Sequence, residues 1–70
     1  MSVEELRSIT SEEIHSKLDD AKEELMNLRF QQSTGELTDH NQIRYTRRQI
    51  ARFLTILRER EIELEMESES

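Results

Sequence analysis

Apolar side chains return along the first half of the chain as Ile14, Leu18, Ala21, Leu25 and Leu28, at spacings of 4, 3, 4 and 3. That rhythm draws one apolar stripe on one face of a helix spanning about 11–33. A second stripe, Ile43, Ile50, Leu54 and Leu57, has Phe53 at its edge and runs through a helix of about 40–61. Arg47 falls inside that seam, where its aliphatic stem can pack while the charge reaches outward. Between the two helices Gly35 supplies the left-handed stop, and Leu37 and Thr38 complete a short loop. Capping chemistry marks the starts. Ser2 precedes Glu5 by three, Thr10 precedes Glu13 by three, and Asp39 precedes Gln42 in a weaker version of the same box. Met1 with Leu6, and Ile9 with Ile14, are spaced as hydrophobic staples, so a short helical segment at 3–8 leads into the first long helix.

Two narrow stripes joined by a short loop bury each other. The fold read from this pattern is all-α, an antiparallel hairpin of two long helices with a short N-terminal helical segment. Leu54, in the second stripe, is expected to cost about 2–4 kcal/mol when cut back to alanine. The hairpin domain takes in residues 1–61. Beyond it, glutamate fills every odd position from 59 to 69, and Glu61, Glu65 and Glu69 repel at i,i+4 spacing. Residues 62–70 therefore read as an acidic, disordered tail.

Composition narrows the function. The chain has 70 residues and no cysteine, so neither disulfides nor thiolate metal sites support its thin core. Phe30, Tyr45 and Phe53 are too few for an aromatic stacking platform. No apolar run reaches the roughly 18 residues of a membrane span, and the acidic start is wrong for a secretory signal. A soluble, intracellular module is expected.

The formal charge of −6 hides a division. Residues 1–40 carry ten acids and four bases, residues 41–58 carry five arginines and no acid, and residues 59–70 carry six glutamates and Arg60. Since charges are screened beyond about 8–10 Å, one basic face can act despite an acidic total. At 100° per residue, Arg44, Arg47, Arg48, Arg52 and Arg58 fall on an arc of about 140° beside the apolar stripe. The guanidinium fork can hold two phosphate oxygens at once or stack on a base. One reading is a solvated face paired with acids of the first helix; the other, favoured by the absence of any local acid, is an anionic partner.

Met26 and Phe30 lie off the first stripe, and Tyr45 and Ile56 off the second, which makes these four candidates for contact with a neighbouring molecule. For Phe30 the alternative is packing back onto Leu6 or Ile9. Catalytic readings find no support. His15 and His40 lack further ligands at metal spacing, the paired acids are solvated helix residues, and there is no glycine-rich phosphate loop or nucleophile elbow. No enzyme activity, metal, cofactor or small-molecule substrate is expected.

The run Leu25-Met26-Asn27-Leu28-Arg29-Phe30-Gln31, then Thr34-Gly35-Glu36-Leu37, then Arg47-Arg48-Gln49-Ile50-Ala51-Arg52 and Thr55-Ile56-Leu57-Arg58-Glu59-Arg60, closely resembles the bacterial family of large-subunit ribosomal protein twenty-nine. The resemblance covers about residues 4–61. It implies a two-helix hairpin that binds large-subunit ribosomal RNA near the mouth of the polypeptide exit tunnel, in the cytoplasmic ribosome. It also implies ribosomal protein twenty-three as a neighbour, with trigger factor and signal recognition particle docking nearby. Matching positions make Arg47, Arg48 and Arg52 the RNA-contacting arginines, with Arg29 and Arg44 as additions and Arg58 completing the face. Family members are usually basic overall, whereas this chain is acidic, and Glu36 stands where glutamine often follows the turn glycine. A generic helical-hairpin module meeting an acidic protein is the alternative function.

Overall fold

The computed structural model describes residues 2–37 and 39–69. Three helices follow one another: α1 (Val3–Arg7), α2 (Ser11–Ser33) and α3 (Asn41–Glu69). α2 and α3 pack along each other as the two arms of a hairpin, and α1 folds back against α3. The result is a rod of 54 × 19 × 16 Å.

Each helix starts where its cap dictates. Ser2 Oγ accepts from the Glu5 backbone N–H at 3.3 Å, and Thr10 Oγ1 accepts from that of Glu13 at 3.1 Å. Both satisfy amides that a first turn leaves without an intrahelical partner. At the third start the Asp39 carboxylate reaches the Asn41 N–H at 2.9 Å, one residue short of the expected box, while the Gln42 N–H bonds the Asp39 carbonyl. α2 ends in a full Schellman turn. The Glu36 N–H returns to the Gln31 carbonyl at 2.8 Å and the Gly35 N–H to that of Gln32 at 3.2 Å. Gly35 makes this possible with φ of +79°. The Met1–Leu6 staple, Thr38 of the loop and Ser70 of the tail lie outside the described residues.

The core joins all three helices. Leu6, Ile14, Leu18, Phe53 and Ile56 form its buried cluster, and Ile9, Ala21, Ile50 and Leu57 pack around it. Ile14, Leu18, Ala21 and Leu28 keep the α2 face read from the sequence, with Leu28 buried outside the cluster. The α3 face is different. Its buried residues are Thr46, Gln49, Phe53 and Ile56, whereas Leu54 is 48% exposed and Arg47 lies outside the seam. On helical geometry the buried face is turned by about 90° from the aliphatic stripe of Ile43, Ile50, Leu54 and Leu57. α1 docks on this same face: Leu6 is fully buried in one cluster with Phe53 and Ile56, so the turned face of α3 serves two neighbours, α2 and α1. Ile56, expected to offer surplus apolar surface, is instead 1% exposed at the centre of the core. The expected cost of truncating Leu54 falls with its burial.

α3 also runs eight residues past its expected end, through the segment read as a disordered tail. Glutamate, leucine and methionine are good helix formers, and repulsion between glutamates four apart amounts to only a few tenths of a kcal/mol per pair. The Ser68 hydroxyl donates to the Glu65 carbonyl at 2.8 Å in the last turn. Residues 61–68 are exposed, so this extension projects beyond the core.

Candidate nucleic-acid interface

Because the seam of α3 has turned toward Phe53 and Ile56, the arginine arc no longer sits beside the core. It lies opposite the core, centred on the outward side of the helix. Arg44, Arg47, Arg48, Arg52 and Arg58 are all exposed there. Arg44 and Arg58 are fourteen residues apart, so the face extends about 21 Å along the helix axis. Arg44, Arg47 and Arg48 surround a shallow hollow of about 320 Å³ floored by Ala51. The small Ala51 side chain leaves that hollow open between the longer arginines.

The charge state of this face is uneven. Among the described residues no carboxylate lies within ion-pair distance of Arg44, Arg47 or Arg48. Arg58, at the far end, is paired with Glu61 at 3.1 Å in an exposed i,i+3 contact, a kind of pair that contributes little to stability and yields to a competing anion at small cost. Arg29 lies on α2, exposed, on the opposite side of the α2 stripe from Asp20 and Glu24.

The outward side of α2 has the opposite character. Glu12, Asp19 and Glu23 project there, all exposed, with Met26 and Phe30 toward the loop end. Met26 is 69% and Phe30 68% exposed, so Phe30 does not fold back onto Leu6 or Ile9. The hairpin thus turns an arginine face one way and an acidic face the other. Tyr45, 61% exposed, lies on the edge between them.

One functional side chain escaped the sequence reading. In the residue order Arg60 is a break in the glutamate run and the last residue of the family motif, with no role assigned to it. Its guanidinium is half-buried and donates to the Ile9 carbonyl at 2.7 Å, the Ser11 hydroxyl at 2.9 Å, and the Leu6 and Arg7 carbonyls at 3.3 and 3.4 Å. It fastens the end of α1 and the start of α2 to α3, and so withdraws from the outward face. Arg7 and Glu59 add an exposed pair at 3.6 Å beside it. The signal for Arg60 was available: it continues the Phe53–Ile56 face by one turn, on the register that α1 selects.

Comparison with known proteins agrees with this architecture. The family model described as Ribosomal L29 protein matches residues 4–60. The large ribosomal subunit protein uL29 of Thermosipho africanus is 55% identical over 62 residues, covering 89% of this chain and 94% of that one. The uL29 of Persephonella marina is 53% identical over 62 residues, covering 89% and 91%. That of Mycolicibacterium vanbaalenii is 53% identical over 60 residues, covering 86% and 78%. The match takes in both arms of the hairpin, the Gly35 turn, the arginine face and Arg60, and the chain belongs to the ribosomal L29 protein family, whose members are structural, non-enzymatic constituents of the large subunit of the cytoplasmic ribosome.

Proposed function

We propose that this chain binds large-subunit ribosomal RNA through the outward face of α3. Arg44, Arg47 and Arg48 form the centre of the contact, Arg52 and Arg58 extend it along the helix, and Arg29 adds a contact from α2. The observation that carries this reading is the combination of an arginine face opposite the seam and, among the described residues, no ion-paired carboxylate at its first three members, Arg44, Arg47 and Arg48. Phosphate oxygens match the guanidinium fork, and an extended exposed helix can follow a sugar–phosphate backbone. Such contacts position a protein without reading bases, and the shape of the folded RNA supplies selectivity.

The family resemblance supports a position near the mouth of the polypeptide exit tunnel, beside ribosomal protein twenty-three and close to where trigger factor and signal recognition particle dock. Met26, Phe30 and Tyr45 are the exposed side chains suited to such protein neighbours. Ile56, being buried, is withdrawn from that set. The test is retention on large subunits that lack the native copy, before and after a high-salt wash. The unaltered chain should stay bound, and the triple variant Arg44→Glu, Arg47→Glu, Arg48→Glu should be lost. Retention of that variant at the level of the parent would favour an acidic or apolar protein partner instead.

A further inference from the structure

A groove runs along one edge of the hairpin between α2 and α3. Ala21, Thr46, Gln49 and Phe53 line it with Asp20 and Glu24, and it holds about 420 Å³. A second hollow of about 410 Å³ continues it toward the loop, sharing Glu24, Tyr45 and Thr46 and adding Asp39. Phe53 is 5% exposed and Tyr45 61%, so a buried ring and an accessible ring meet the same space. Thr46 and Gln49, each 7% exposed, add a polar strip.

The rim is acidic. Asp20, Glu24 and Asp39 face only Lys17 among the charged residues lining the two hollows. Asp20 and Glu24 stand at i,i+4, so their side chains are neighbours on one helix face and repel each other. Among the described residues no cation lies within ion-pair distance of either. Phosphate is disfavoured in such a place by like charge, whereas a guanidinium or ammonium would relieve the repulsion and meet an aromatic ring face.

We infer that this groove seats a cationic segment of a protein partner, with an arginine or lysine between Asp20 and Glu24 and an apolar side chain against Tyr45 and Phe53. The inference concerns a different surface from the arginine face of α3 and does not depend on RNA binding there. It gives the acidity of α2 a specific use: one edge of the hairpin engages protein while the outward side of α3 engages nucleic acid.

The experiment follows the backbone amides of the full, isotope-labelled chain during titration with an acetylated, amidated pentapeptide alternating leucine and arginine. A glutamate version of the peptide and an oligouridylate serve as the other two probes. The arginine peptide should shift the amides of Ala21, Thr46 and Gln49 saturably, and the glutamate version should not. Asp20→Lys with Glu24→Lys should weaken binding at least about tenfold, since two attractive charge contacts become two repulsive ones. Glu12→Lys with Glu23→Lys, on the outward side of α2, should change it less than twofold. Tyr45→Ala keeps every charge and should weaken binding severalfold, which covers the case in which the double reversal disturbs folding. Equal losses from the groove and outward reversals would overturn the inference. So would groove amides that respond to oligouridylate, or that move with chain concentration alone and so report a second copy. Failure of the RNA reading would be seen separately, as amides of Arg44, Arg47 and Arg48 that do not respond to oligouridylate.

Discussion

The Arg60 guanidinium donates to the Ile9 carbonyl across 2.7 Å, tying residues fifty-one positions apart. Ile9 lies in the link between α1 and α2, and the same guanidinium reaches carbonyls at the end of α1. These carbonyls sit at the negative end of a short helix that could not persist alone. Their donor comes from α3, so α1 holds its place through tertiary contact: Arg60 at its end and Leu6 in the core. Arg60→Met should therefore cost about 1.5–3 kcal/mol, the range for hydrogen bonds to a charged group. Urea denaturation of the variant checks this, and loss of protection at the Leu6 amide should accompany the lower midpoint. An unchanged midpoint would mean that the clamp is incidental.

Two neighbouring aliphatic residues on α3 should behave in opposite ways. Ile56 is 1% exposed, and its truncation to alanine should cost about 2–4 kcal/mol, enough to unfold much of a chain this small. Leu54 is 48% exposed, and the same change there should cost less than about 1 kcal/mol. Thermal melts of the two variants side by side decide the register. A Leu54→Ala variant that melts well below Ile56→Ala would restore the purely aliphatic seam.

Gly35→Ala tests the turn. Nothing lies within 4 Å of a Cβ built at Gly35, so the substitution meets no clash, and its cost is the left-handed backbone alone. That cost should be about 1 kcal/mol, since alanine resists φ near +79°. A larger loss in chemical denaturation would show that the turn carries packing as well.

Removing residues 62–70 should lower far-ultraviolet ellipticity, because a helical extension is lost. It should leave the unfolding free energy within about 0.5 kcal/mol, because residues 62–68 are exposed and the buried cluster lies between Leu6 and Ile56. Unaltered ellipticity after truncation would return this segment to the disordered state suggested by its glutamate repeat.

Much of this architecture was readable from residue order. Ser2, Thr10 and Gly35 announce their helix ends through local hydrogen-bonding chemistry that needs no tertiary context, and the α2 stripe follows from spacing alone. The α3 face was not readable in the same way. A count of aliphatic residues favours Ile43, Ile50, Leu54 and Leu57, while the buried face includes Thr46 and Gln49, polar residues whose burial depends on neighbours. Those neighbours are Leu6 of α1 at Phe53 and Ile56, and α2 along the rest of the seam. The aliphatic pattern puts Leu54 in the core and Ile56 at the surface, the reverse of their burial, and gives no sign of the Arg60 contacts, yet the arginine arc is the same in either register. That arc depends on positions within one helix, and turning the seam took it farther from the core. Residues 62–69 are helical because the helix propensity of glutamate, leucine and methionine outweighs the weak repulsion between glutamates four apart.

The most direct measurement is the salt dependence of binding to large-subunit ribosomal RNA fragments. With Arg44, Arg47 and Arg48 replaced by glutamine in turn and together, the slope of log affinity against log salt should flatten by about 0.7–0.9 for each phosphate contact removed. The triple variant should lose roughly two units of slope or more, and Glu12→Gln with Glu23→Gln should leave the slope unchanged. A triple variant whose slope equals that of the parent chain would contradict the assignment of RNA binding to the outward side of α3.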